Sequence, residues 1–339
     1  MIADRLPYSK YNLITDMLAA AEAIRTFDVS DVKRAATGIA SNGKLLMTGE
    51  GSSRMFPAKS AIAHSRRKGW PCIVTTEAGR QSQEYCLDDW AVLGVSNSGR
   101  TAEVIRLFHG LKAAGNPKRY SLTAMPDSTL ESLATSGHVL KCGKEGAVAA
   151  TKSVVEQAIY CRALVESIAG EETLGGRLSS LADQFLAALA IPIDPEIAKK
   201  IAHSGSIYFA GRNDGVAEEL TLKTNEITRK RGDYLEGTYA VHGIEESMQA
   251  NDVVIWIDPY QESEQKFYDV LVKGVGLTVI AVSSRPTLFP TIQIPDAGDL
   301  SCFIQLAAGW NLLVEAGLQL DINIDKPERA RKVGNEFVG

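Results

Sequence analysis

Two hydrophobic rhythms alternate along the chain. Between residues 9 and 26, Leu13, Met17, Leu18, Ala21 and Ile24 recur at helical spacing and predict an amphipathic helix. A second helix is expected over Val32 to Ala40, ended by Asn42-Gly43. Short apolar runs then take over: 44–48, 72–75, 91–95, 120–124 and the brief 138–140. Runs of this length between turn residues read as buried strands. Helical stretches separate them, one ending near Lys68, one over 102–114, and a long one from Ala149 to about Ile168. This alternation predicts an α/β fold, doubly wound, with parallel strands flanked by helices on both faces.

The pattern then starts again. Gly175-Gly176 punctuates the chain, a helix is expected over 177–190, and Ile191-Pro192-Ile193-Asp194-Pro195 reads as a linker. Leu45–Gly49 corresponds to Ile207–Gly211, and Val92–Val95 to Val254–Ile257, both at an offset of 162 residues. Leu122–Ala124 and Ile280–Val282 follow at 158. Equal strand spacing predicts two copies of one domain. The expected division is 1–190, 191–326 and a C-terminal tail over 327–339.

The composition of the 339 residues, 45% hydrophobic and 23% charged, suits a globular protein of two domains. The net charge of −5 argues against a nucleic-acid partner. No apolar run reads as a transmembrane helix and the N-terminus lacks a signal-peptide pattern, so no membrane partner and a cytoplasmic location are expected. The five cysteines form no Cys-x-x-Cys pair, and no metal-ligand cluster is expected. His64 and His109 read as ordinary helix positions.

One loop carries the most chemistry. Val95-Ser96-Asn97-Ser98-Gly99-Arg100-Thr101 joins a buried strand to a helix. A helix N-terminus has unpaired N–H groups and a partial positive charge. Ser96, Ser98, Thr101 and Asn97 add side-chain donors, and Gly99 allows close backbone approach. A plain N-cap needs one such residue; this loop suits a phosphate. In the second half the equivalent strand is followed by Asp258-Pro259-Tyr260-Gln261, whose acid would repel phosphate, so only the first half is expected to hold the anion. Over 216–227 a helix places Lys223 and Glu226 on one face, a pairing common on plain surfaces. His242 follows in an irregular segment.

With these motifs in order, the chain resembles the sugar isomerase (SIS) domain family, in particular the isomerase half of glucosamine-6-phosphate synthase and its stand-alone relatives. Residues 96–103 are similar to the family's Ser-Gln-Ser-Gly-Glu-Thr-Ala-Asp, and 49–53 to its Gly-Thr-Ser turn. Residues 145–152 resemble Glu-x-Gly-Val-Ala-Ser-Thr-Lys, and 222–226 resemble Leu-Lys-Leu-Lys-Glu. His242 stands at the family's spacing from Glu226. Residues 325–332 are similar to Asp-x-Pro-Arg-Asn-Leu-Ala-Lys.

The resemblance implies that Ser53, Ser96, Asn97, Ser98 and Thr101 hold a sugar phosphate, and that Gly51, Ser52, Val148 and Ala150 line the sugar. It implies that Glu226 moves a proton between C1 and C2 through a cis-enediol(ate). His242 would open the ring from the neighbouring subunit of a homodimer. Lys332 would form an imine from a tail that closes over the sugar, and Lys223, buried and partly neutral, would support the amine chemistry. No cofactor and no metal are required. The implied substrate is a hexose 6-phosphate or aminosugar 6-phosphate, and the implied reaction is isomerisation, with deamination in the glucosamine-6-phosphate deaminase manner. Fructosamine-6-phosphate deglycation and non-catalytic phosphosugar sensing are the alternatives. A dinucleotide-binding dehydrogenase fits poorly, since Arg54 breaks the Gly-x-Gly-x-x-Gly pattern. Asn97 and Ala150 depart from the family's Gln and Ser, the tail extends beyond Lys332 to Gly339, and the glutamine-hydrolysing domain is not expected.

Overall fold

The computed structural model describes residues 7–331 and 334–338. The chain divides into two compact units that interleave in sequence. The first holds Ala19–Glu145, Ala150–Ser180 and the described part of Arg331–Gly339. The second holds the described part of Met1–Leu18, Gly146–Ala149 and Leu181–Ala330. A linear division at 190 and 326 is therefore not how the chain packs. Early residues join the second unit because Asp325 receives them. Its carboxylate accepts from the Asn12 and Leu13 N–H groups, both at 2.8 Å. That satisfies the opening donors of the helix Asn12–Arg25.

The first unit is built on β1 (Lys44–Gly49), β2 (Ile73–Ala78), β3 (Ala91–Ser96), β4 (Arg119–Thr123) and β5 (Ser136–Val139). All neighbours are parallel, in the order β2-β1-β3-β4-β5. β3 and β4 are buried at every position; β3 runs apolar or small without alternation, while β4 buries Arg119, whose Nε donates to the Leu133 carbonyl. The helix Ala102–Ala113 packs Val104, Ile105, Phe108 and Leu111 against Leu46 and Val92 of the sheet. Gly94 sits mid-strand because a Cβ there would lie 2.6 Å from the Phe108 ring.

The second unit carries β6 (Ile207–Gly211), β7 (Gly232–Glu236), β8 (Val253–Ile257), β9 (Thr278–Ser283) and β10 (Thr291–Gln293). Its order is β10-β9-β8-β6-β7, again all parallel. Read from β7, this is the order of the first sheet. The three strand pairs matched in the sequence occupy equivalent places, so the repeat is one of topology as well as spacing.

Several elements differ from the sequence reading, among them three in the second unit. β7 is a strand that the sequence reading does not predict, because Gly232, Asp233 and Glu236 interrupt its apolar pattern. β10 is short enough to escape notice. The helix Ser301–Gln319 corrects the reading that no apolar run is long enough for a membrane. Among the described residues, Gly298–Gln319 passes that test by length and composition, yet 89% of its apolar window is buried inside the protein. It packs on the helices Pro195–His203 and Val216–Thr228.

Candidate functional site

β1 and β3 are neighbours, with Thr48 opposite Gly94. In this strand order the connections leave β1 and β3 to opposite sides, which opens a crevice at their carboxyl ends. Two loops start there. Gly49 and Val95 approach so closely that a Cβ on Gly49 would meet the Val95 carbonyl at 2.8 Å. After β1 comes the turn Gly51–Ser53. After β3 comes the loop 97–101.

That second loop is firmly built. Gly99 has φ +63°, and a Cβ there would overlap Ser128, so only glycine fits. The Gly99 N–H donates to the Ser96 carbonyl at 3.0 Å. Ala124 N–H donates to the Asn97 carbonyl, and Leu130 N–H to the Gly99 carbonyl, both at 3.0 Å. Ser98 Oγ accepts from the Arg100 N–H at 3.1 Å. Thr101 stands at the N-cap of Ala102–Ala113, yet its side chain makes no capping bond. Its hydroxyl instead lies 2.8 Å from that of Ser96. Asn97 Oδ1 is buried without a hydrogen-bond partner among the described residues. The loop thus presents hydroxyls and an amide beside a helix N-terminus that no side chain of its own caps.

Glu50, which the sequence reading passed over, lies half-buried beside this loop. Burial raises its carboxyl above the usual range, and the Glu103 carboxylate adds to the rise, while the Arg80 and Gly79 backbone N–H groups oppose it. Glu145, a marker of the resemblance, is architectural. Its carboxylate accepts from the Thr151 N–H at 2.7 Å and the Ser153 N–H at 3.2 Å, at the start of the helix Lys152–Ile168. Of the sugar-lining candidates, Gly51, Ser52 and Ala150 belong to the first unit. Val148 belongs to the second, where its N–H donates to the Asp325 carbonyl at 3.0 Å.

The second unit places Lys223 and Glu226 together on the helix Val216–Thr228. Lys223 Nζ lies 2.7 Å from Glu226 Oε2 and 3.3 Å from Glu219 Oε1. Lys223 and Glu219 have no exposed surface, and the Glu226 side chain is 20% exposed. Burial pulls the Lys223 ammonium downward, but the Glu226 and Glu219 carboxylates outweigh it and the net shift is upward. The expectation of a partly neutral Lys223 is therefore corrected: two carboxylates hold its charge. Glu219 was missed, although its spacing at i, i+4, i+7 with Lys223 and Glu226 marks one helical face.

His242 is exposed and its Nε2 lies 3.2 Å from the Thr238 hydroxyl. It makes no hydrogen bond or ion pair to Glu226 among the described residues. Lys332 lies outside the described residues. At the second sheet's equivalent of the anion loop, Asp258 has φ +47° and pairs with Arg212 at 2.5 Å. The Arg212 guanidinium lies 4.3 Å from the Tyr260 ring centre. An internal ion pair occupies the place where the first unit has hydroxyls.

Residues 38–167, which include both switch-point loops, match the SIS domain family. That match spans 130 of the 339 residues. The glutamine–fructose-6-phosphate aminotransferase (isomerizing) of Oceanobacillus iheyensis is 24% identical over 253 residues, 70% of this chain and 42% of that protein. The chain spans less than half the length of the curated relatives it matches. The tagatose-6-phosphate ketose/aldose isomerase of Escherichia coli superposes with a TM-score of 0.75 at 15% identity, over 96% of this chain and 99% of that one. The glucosamine-6-phosphate deaminase of Thermotoga maritima gives 0.69 at 19% identity, over 94% and 99%. At such identities these structures establish a shared fold. The matched stretch contains the hydroxyl loop 96–101, and the second sheet repeats the strand order of the first.

Proposed function

We propose that this chain is a phosphosugar aldose–ketose isomerase acting on a hexose 6-phosphate or an aminosugar 6-phosphate, with deamination when the substrate carries an amine at C2. The observation that carries the reading is the loop after β3, where Thr101 faces Ser96 and leaves the helix N-terminus without a side-chain cap. A phosphate there would accept from Ser53, Ser96, Ser98 and Thr101 and from the Asn97 amide. Bonds to a charged acceptor contribute roughly 1.5–3 kcal/mol each.

In this reading Glu226 carries a proton between C1 and C2, and the Lys223 ammonium orients its carboxylate. Lys223 acts as a charge partner, so the imine falls to Lys332. His242 would open the sugar ring, supplied by the neighbouring subunit of a homodimer. The relatives named for isomerisation and for deamination support the substrate class, since both reactions need the same proton transfer.

The test is turnover of glucosamine 6-phosphate and fructose 6-phosphate, followed by ammonia and ketose assays, beside calorimetric binding. The wild type should turn over at least one of them. Glu226→Gln should lower kcat by roughly 10²- to 10⁴-fold while still binding substrate. A wild type that binds these sugars without turning them over, matched by the variant, would make the protein a sensor.

A further inference from the structure

A short stretch from the far end of the sequence lies against the anion loop of the first unit. Glu336 pairs with Thr101 in an isolated antiparallel bridge. Two main-chain hydrogen bonds flank the pair. The Ala102 N–H donates to the Asn335 carbonyl at 3.1 Å, and the Phe337 N–H donates to the Arg100 carbonyl at 2.9 Å. Side chains add to them. Arg100 Nη1 lies 2.6 Å from Glu336 Oε1, and Asn335 Nδ2 donates to Glu103 Oε1 at 2.7 Å. The Phe337 ring sits 5.7 Å from that of His109 and packs on the apolar cluster that includes Phe108 and Leu111.

Every one of these partners belongs to the anion loop or to the helix that it opens. Resting on the reading that this loop holds the sugar phosphate, we infer that Asn335, Glu336 and Phe337 are positioning residues that clasp the loop in its binding conformation.

The physical argument starts from Thr101. A threonine at an N-cap normally accepts from an N–H of the first turn. Its backbone has the extended conformation usual at an N-cap, φ −62° and ψ 117°, yet its side chain does not cap. The two main-chain bonds fix the residues on either side of it, which holds that extended conformation and keeps the hydroxyl facing Ser96. The Asn335 carbonyl also takes the first N–H of the helix, so an anion is directed toward the loop hydroxyls. The Arg100 and Glu336 side chains are 53% and 44% exposed, so their ion pair adds little. The two main-chain bonds carry the clasp.

The test compares the full chain with one ended at Gly334 and with Phe337→Pro, which removes the N–H bonded to Arg100. Phe337→Leu serves as the conservative control that keeps this N–H. Binding of fructose 6-phosphate and of inorganic phosphate is measured by calorimetry, beside thermal unfolding. Loss of one or two hydrogen bonds that hold the loop should weaken fructose 6-phosphate by roughly tenfold in the shortened chain and in Phe337→Pro. Phe337→Leu should bind like the wild type, and all variants should melt near it. The inference is overturned if the shortened chain binds as tightly as the full one, or if Phe337→Leu loses as much as Phe337→Pro. A wild type that binds neither ligand removes the phosphate reading itself; unchanged binding in the variants removes only the clasp.

Discussion

Lys223 Nζ and Glu226 Oε2 lie 2.7 Å apart on one turn of helix, with Lys223 wholly out of water. Glu219, equally buried, closes the other side at 3.3 Å. Removing the lysine strands a carboxylate in the interior. Lys223→Met should therefore destabilise the second unit by about 3–5 kcal/mol, read from urea or thermal unfolding. Adding Glu219→Leu should recover most of the loss. The folded pKa of Lys223 is raised, so the stability it contributes is fully present below the ordinary lysine value of 10.5 and disappears only as pH climbs through the folded value. The deficit of Lys223→Met should be the same at neutral pH and at mildly alkaline pH.

The Ser96 and Thr101 hydroxyls, 2.8 Å apart, set a second expectation. Ser98→Ala combined with Thr101→Ala removes two donors to a dianion. At about 1.5–3 kcal/mol each, KM for a sugar phosphate should rise by roughly 100-fold or more. The melting temperature should fall only slightly, through loss of the Ser98 bond to the Arg100 N–H and the Ser96–Thr101 bond, because Thr101 does not cap the helix. Steady-state kinetics beside calorimetric binding will show it, and unaltered binding would dismiss the loop as the phosphate site.

Gly99 leaves no room for a side chain. With φ +63° and Ser128 where its Cβ would stand, Gly99→Ala should cost about 1–3 kcal/mol and distort the loop. Both melting temperature and phosphate affinity should fall. Gly110→Ala, in the interior of the helix Ala102–Ala113 with open space around the position, is the control: it should raise the melting temperature slightly and leave phosphate affinity in place.

Glu50 predicts a pH dependence. Its carboxyl is raised by burial, with Glu103 adding to it. A raised carboxyl contributes stability at acid pH, below its ordinary value of 4.5, and that contribution is lost as pH rises through the folded value. At neutral pH the ionised group is therefore unfavourable where it sits. Glu50→Gln should raise the melting temperature at pH 7, and its advantage should shrink as the buffer is acidified toward the usual carboxylate range. Unfolding curves across that range will check the sign; an advantage that grows in acid would refute the assignment.

Much of the architecture follows from local pattern. Apolar runs such as Val92–Val95 and Ile255–Ile257 are buried on both sheet faces, so their sequences announce them without tertiary help. The loop 96–101 is equally readable, because a hydroxyl cluster between a strand and a helix has few uses. The repeat offset placed three strand pairs correctly. β7 and the helix Ser301–Gln319 were missed for opposite reasons. β7 is half-exposed and lacks a clean apolar signal, while the helix is buried all round and so has no polar face to give it a period.

What the sequence by itself determined was the kind of fold, the repeat and the place of the hydroxyl loop 96–101, since each rests on residues adjacent in the chain. Only the tertiary structure decided which distant groups meet. Asp325 caps a helix begun by Asn12, and Asn335 and Phe337 reach Ala102 and Arg100. Those pairings depend on burial and on chain crossings hundreds of residues long. No local periodicity encodes them, because the free energy that selects them arises when water is excluded from both partners at once.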